Sequence, residues 1–304
     1  MRIVFMGTPD FAVPSLQALA ERHEVSLVVT RPDAVRGRGR RLEPSPVKEA
    51  ALALGIAVLE ASRMDAQAIE RIASEHPDVM CVAAYGAILP DDLLAVAPLG
   101  CVNVHASLLP QGRGAAPIQR AVLEGDERAG VSIMRIVHEL DAGPYCRQAS
   151  VEIGEKSCAK VMRELAELGA RELCQALEDM AAGQAEWTEQ DDAQATYAAK
   201  VQKGEMFLDP SDGVAVNRRR VQASLDAAPA RAVVAGRGVR VTEARVADVQ
   251  AVPGAVVVRK GHVFLGCADG ALEPLRVKPD GKREMEVSAW ASGLRGDSLT
   301  WERV

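Results

Sequence analysis

Apolar residues recur along the chain in two ways. Short Val-, Ile- and Met-rich runs occupy residues 2–6, 25–29, 79–84, 101–105 and 131–137. Between them, residues 11–21, 46–54, 64–75, 115–124 and 157–182 space their apolar side chains three and four apart, with charges on the opposite face. Uninterrupted apolar runs alternating with amphipathic stretches mark strands buried on both faces and the helices that cover them. The pattern predicts an α/β domain over residues 1–183, Rossmann-like, with a mostly parallel sheet and helices on both sides, closed by the long helix 157–182. The next stretch, AAGQAEWTEQDDAQATYAAKVQKGE, loses the apolar period, and residues 184–204 read as a linker. From 205 to 304 short strands follow one another with glycine-bearing turns, the pattern of a small OB-like β-barrel.

Composition leaves that picture standing and adds a charge asymmetry. The chain has 304 residues, 48% of them hydrophobic and 26% charged, enough for two cores. Formal net charge is −6, yet residues 201–304 carry 16 Lys and Arg against 13 Asp and Glu, so a basic tail follows an acidic body. Such a division fits a polyanionic partner, and on charge alone it fits an unevenly charged solvated surface at least as well. The six cysteines are scattered with no CxxC pair and several lie in apolar runs, so they read as reduced core thiols and not as a disulfide frame or zinc site. The first residues, MRIVFMG, are already a strand, and no apolar run reaches the roughly 18 residues of a membrane span. A protein of a bacterial-type cytoplasm is expected.

The chemistry concentrates in CVNVHASLLPQGRGAAPIQRA, residues 101–121. In open α/β sheets the site lies beyond the carboxyl ends of the strands. Asn103 and His105 end the run 101–105, and the period of two puts both side chains on one face. Either alone is usually an ordinary hydrogen-bonding partner. Together, an amide NH2 and an imidazole can hold a carbonyl oxygen that turns negative under attack. A histidine moving protons is normally oriented by a carboxylate. Asp141, in HELDAGPY after the run 131–137, is the candidate, with Glu139, Asp126 and Glu124 also nearby in sequence. His138 neighbours Glu139 in a loop without a partner amide and reads as a surface residue or an outer supporting one.

These residues carry a resemblance. NVHASLLPQGRGAAPIQRAVLEGD, followed by LDAG, resembles the folate-dependent formyltransferases, which share N-x-H, SLLP and a downstream LDxG aspartate in this order. MRIVFMGTPDFAVPSLQAL, TRPDAVRGRGRRLEPSPVKEAA, VAAYGAILP and YAAKVQKGE narrow the likeness to members that act on methionyl initiator tRNA. The resemblance implies Asn103, His105 and Asp141 as the catalytic trio, and Ser107, Leu108, Leu109 and Pro110 as a folate-contacting turn. It makes Tyr85 and Ile88 walls of the pterin slot. The co-substrate it implies is 10-formyltetrahydrofolate, with no metal, no membrane and no obligate protein partner. By the same resemblance Arg36, Arg38, Arg40 and Arg41, between glycines in a flexible loop, reach the tRNA acceptor end, and the C-terminal barrel binds tRNA. The chain departs from the family at Gln111 and Gly112, where a basic or aromatic residue is common, and at Pro210.

Rival readings meet specific objections. A formyltransferase acting on glycinamide ribonucleotide needs a Gly/Ser-rich phosphate loop where this chain has GTPDFAVPS, and it lacks the long C-terminal part; one acting on a sugar amine shares the trio. A nicotinamide dehydrogenase needs G-x-G-x-x-G after the first strand, where Gly7 stands alone. A non-catalytic RNA-binding module leaves Asn103, His105 and Asp141 idle.

Overall fold

The computed structural model describes residues 1–36, 41–296 and 298–304, the side chains of Arg36 and Arg41 excepted. Contacts divide the chain into two units. The first comprises Met1–Pro117, Arg128–Glu152 and Met162–Ala198; the second comprises Ile118–Glu127, Ile153–Val161 and Ala199–Val304.

The first unit is built on a seven-stranded sheet. Its strands are β1 (Arg2–Gly7), β2 (Glu24–Thr30), β5 (Val58–Glu60), β6 (Val79–Ala83), β7 (Cys101–His105), β8 (Arg128–Arg135) and β9 (Tyr145–Glu152), in the order β5-β2-β1-β6-β7-β8-β9. From β5 to β7 every pairing is parallel, and β8 and β9 add an antiparallel edge. The mostly parallel Rossmann-like sheet expected from the apolar runs is therefore present. The chain leaves β1 toward β2 on one side and returns to β6 on the other, so the strand order reverses between β1 and β6, the kind of switch point beyond whose carboxyl ends open α/β sheets bind ligands.

Five helices form where the spacing placed them, α1 (Val13–Arg22), α2 (Pro46–Ala53), α3 (Ala66–Ala73), α5 (Pro117–Glu124) and α6 (Cys158–Ala181), and the single turn α4 (Asp91–Leu94) is one that the spacing did not mark. In α1, Leu16 and Leu19 are fully buried, each contributing roughly 1.5–3 kcal/mol. Ser45 caps α2 by accepting from the Lys48 amide at 3.0 Å, Pro46 occupies the first turn, and the Ser45 hydroxyl meets Thr30 Oγ1 at 2.7 Å, so the helix start is pinned to the end of β2. Asp65 caps α3 in the same way through the Ala68 amide. Gly169 of α6 lies on β7 so closely that a Cβ there would stand 2.6 Å from Val104 Cγ1. Val104 thus faces α6, and the alternation of the strand turns Asn103 and His105 to the other face.

The described residues on either side of the arginine-rich stretch form two short strands. Residues Ala34–Arg36 (β3) and Arg41–Glu43 (β4) pair as an antiparallel hairpin with Val35 opposite Leu42, and both of those side chains are mostly exposed. Arg38 and Arg40 lie outside the described residues.

The second unit contains an antiparallel, nearly closed barrel. After α7 (Val214–Gln222) come β10 (Arg231–Val234), β11 (Arg237–Ala247), β12 (Val256–Arg259), β13 (His262–Cys267), β14 (Gly270–Pro279), β15 (Met285–Glu286), α8 (Val287–Ala291) and β16 (Trp301–Glu302). The strand path is β12-β13-β14-β11-β10-β16. Its ends meet through the Ala255–Thr300 bridge, with the Val256 amide donating to Leu299 O and the Trp301 amide to Gly254 O. Trp301 fills the interior with Val239, Val241, Leu265 and Leu272, and its indole N–H is satisfied by Gly266 O at 2.9 Å. The OB-like expectation holds. Among the described residues no helix is long and apolar enough to cross a membrane.

Candidate active site

Strand β7 delivers Asn103 and His105 to the carboxyl end of the sheet, between β6, where Val82 pairs with Asn103, and β8, where Met134 pairs with Asn103 and Ser132 with His105. His105 is buried and Asn103 half-buried. Among the described residues no hydrogen bond engages the Asn103 side-chain amide, so its NH2 remains available to a bound oxygen. His105 has two neighbours. Its Nδ1 lies 3.6 Å from Asp141 Oδ1, and its Nε2 lies 3.1 Å from Gly112 O. Both are acceptors, so only the imidazolium can donate to both at once.

Asp141 reaches this position from a tight loop. Its backbone lies in the left-handed region at φ 51°, which aspartate tolerates better than most residues. Two residues on, a Cβ at Gly143 would sit 2.0 Å from Arg135 O, so only glycine lets the loop turn back across the end of β8. The second carboxylate oxygen of Asp141 accepts from the Gly114 amide at 2.9 Å, which leaves Oδ1 turned toward His105. The structure thus brings together Asn103, His105 and Asp141 out of the candidate groups. His138 is elsewhere, on the surface, 3.4 Å from the exposed Asp91.

The SLLP turn is held from below by a residue that sequence reasoning passed over. Ser132 of β8, fully buried, donates to Ser107 O at 2.7 Å and accepts from the Leu109 amide at 3.1 Å and from Gln148 Nε2 at 2.9 Å, while Gln148 also donates to Leu109 O. The Leu109–Pro110 peptide is cis. The Ser107 hydroxyl donates to Gln111 O at 2.6 Å, Leu109 is buried, and the half-buried Leu108 lies on Gly130 of β8. A signal for Ser132 existed: one hydroxyl inside the apolar run VSIMRIV must find partners when buried.

Tyr85 and Ile88 part company. Ile88 is 91% exposed and free to contact a ligand. The Tyr85 ring, 2% exposed, is packed among Leu27, Met80 and Leu93, and its hydroxyl donates to Ala61 O at 2.7 Å. Burial pushes that phenol up to about 12. As a core side chain with its polar atom already used, Tyr85 is not an open pocket wall, which corrects the expectation from sequence. Cys81 and Cys101, on β6 and β7, are likewise kept as neutral thiols by burial, so neither is a nucleophile.

Comparison with known proteins joins this geometry to a family. Residues 1–177 match the family model described as formyl transferase, and residues 200–295 match that of the formyl transferase C-terminal domain. The chain is 44% identical to the methionyl-tRNA formyltransferase of Methylococcus capsulatus, covering 98% of this chain and 99% of the relative. It is 40% identical to the methionyl-tRNA formyltransferase of Methylobacillus flagellatus, covering 96% of each. Among solved structures, HypX from Aquifex aeolicus in complex with tetrahydrofolic acid aligns with a TM-score of 0.67 at 18% identity. That alignment covers 99% of this chain and 50% of HypX, so the chain spans about half the length of that protein, and the likeness is one of fold.

Proposed function

The chain belongs to the formyl transferase family, and from that premise we propose that it transfers the formyl group of 10-formyltetrahydrofolate to the α-amine of methionyl initiator tRNA. The products are N-formylmethionyl-tRNA and tetrahydrofolate, for translation initiation in a bacterial-type cytoplasm. One observation carries the chemistry: an Asn103 amide that no hydrogen bond engages among the described residues, on the same face of β7 as a buried histidine whose two nitrogens face two acceptors.

The reaction forms a bond between the amine nitrogen and the formyl carbon and breaks the bond between that carbon and the folate nitrogen. One proton leaves the amine and one arrives on the folate nitrogen. Asn103 donates to the formyl oxygen as it gains negative charge, a contribution of the kind worth about 10²–10³ in rate. His105 takes the proton from the amine and returns it to the departing nitrogen, its ring oriented by Asp141 Oδ1 on one side and Gly112 O on the other. No covalent intermediate with the protein is needed.

Substrate binding divides between two regions. The Ser107–Pro110 turn and exposed Ile88 contact the folate. Arg36, Arg38, Arg40 and Arg41 contact the acceptor end of the tRNA, where guanidinium groups pair with phosphates and stack on unpaired bases. The basic C-terminal barrel adds to tRNA binding. Support for the acceptor comes from the relatives that carry the methionyl-tRNA formyltransferase name over nearly their whole length.

The test supplies 10-formyltetrahydrofolate with methionyl initiator tRNA, methionyl elongator tRNA or an amino-sugar nucleotide. Selective formylation of the initiator species is expected. Transfer to the amino sugar without transfer to tRNA would overturn the assignment.

A further inference from the structure

Arg113 stands out in this unit as a guanidinium buried to 3% exposure that touches neither His105 nor Asp141 through any described contact. A charged group removed from water needs partners to repay its desolvation. Arg113 Nε donates to Gln190 Oε1 at 2.9 Å, and its Nη2 donates to Asp192 Oδ1 at 2.8 Å. Because arginine only donates, the carbonyl end of Gln190 must face it, and this fixes the other end of the amide as the donor. That NH2 donates to Asp141 O at 2.8 Å and to Gly143 O at 2.6 Å. The Gln190 side chain therefore clamps both carbonyls of the loop that holds Asp141 in its left-handed conformation.

The backbone around Arg113 converges on the same pair. Gly112 presents its carbonyl to His105 Nε2, and Gly114 gives its N–H to Asp141 Oδ2. The segment between is anchored in turn: the Gly112 amide donates to Thr196 Oγ1, the Arg113 amide to Thr196 O, and the Ala198 amide to Arg113 O. Three consecutive residues and one glutamine thus define where both partners of the histidine stand.

We infer that Arg113 and Gln190 are positioning residues, with Arg113 orienting the Gln190 amide and Gln190 holding the Asp141 loop so that Oδ1 faces His105. The inference rests on the formyl-transfer reading above. It implies that disturbing Gln190 slows the chemical step without weakening either substrate, since neither side chain lies among the folate or tRNA contacts.

The discriminating variant is Gln190→Glu. A carboxylate keeps an acceptor for Arg113, so the buried charge stays paired, but it has no N–H for Asp141 O and Gly143 O and repels both. Turnover, KM for 10-formyltetrahydrofolate, KM for methionyl initiator tRNA and thermal midpoint are measured for wild type, Gln190→Glu and Gln190→Ala. Expected is a fall in kcat of about 10²-fold, the scale of a misplacement near 1 Å, with both KM values retained. Should Gln190→Glu fail to fold, Gln190→Ala, a truncation at a half-buried loop position, decides the matter. A folded variant with wild-type kcat would overturn the positioning claim. The wild-type arm separates the two levels: absence of formyl transfer there counts against the functional reading, whereas an active wild type beside an equally active variant counts against Arg113 and Gln190 alone.

Discussion

His105 Nδ1 faces Asp141 Oδ1 across 3.6 Å, while the other oxygen of the same carboxylate is held by the Gly114 amide. The separation is longer than a well-formed hydrogen bond, and catalytic contacts of this kind commonly tighten when substrate binds. In the proposed transfer this carboxylate is the acceptor that orients the His105 ring.

Replacing Asp141 by Asn keeps the shape and removes the charge. Turnover is expected to fall by about 10²–10⁴, the span of a general acid–base contribution, while equilibrium binding of the folate stays at the wild-type level. Fluorescence titration of folate beside steady-state kinetics checks both halves. Undiminished turnover in a folded variant would remove Asp141 from the proton pathway.

Ser132→Ala should damage the folate turn and leave the trio intact. The Leu109 amide loses its acceptor and Ser107 O loses its donor, in a place without exposure to water. Each buried group left unpaired costs about 1–3 kcal/mol, so the thermal midpoint falls. Folate KM is expected to rise more than kcat falls, and unchanged KM would detach the turn from folate binding.

Tyr85 supplies a pH signature. Its phenol ionises at about 12 in the folded protein, against about 10 in an unfolded chain. Above pH 10 the unfolded state has fewer protons bound than the folded state, so stability contributed by this group declines as pH rises through 10 toward 12. The difference between wild-type and Tyr85→Phe absorbance titrations should show no phenolate until the pH approaches 12. The same variant should keep wild-type folate KM. A raised KM would return Tyr85 to the folate site.

Much of this was legible in the residues. The runs 2–6, 25–29, 79–84, 101–105 and 131–137 became β1, β2, β6, β7 and β8, because a strand buried on both faces leaves an uninterrupted apolar trace. The strand β9, half-buried along most of its length, and the three-residue β5 left no such trace. The Asn103 and His105 pairing followed from the period of two alone. Gln190 and Thr196 could not be found that way. They lie on a polar stretch without apolar period, and their positions are set by hydrogen bonds to residues 112–113 and 141–143, far away in sequence. Tyr85 was misread because an aromatic at the end of a strand carries no mark telling a pocket wall from a core residue; its hydroxyl partner, the carbonyl of Ala61, is a backbone atom that side-chain patterns do not reveal.

The most direct measurement is single-turnover transfer of a labelled formyl group from 10-formyltetrahydrofolate to methionyl initiator tRNA, comparing wild type with Asn103→Ala. If the side-chain amide of Asn103 holds the developing charge on the formyl oxygen, the wild type transfers the label and the variant does so about 10²–10³-fold more slowly, with folate and tRNA still bound. Transfer at nearly the wild-type rate by the folded variant would contradict the assignment of this site as the place where the formyl group changes hands.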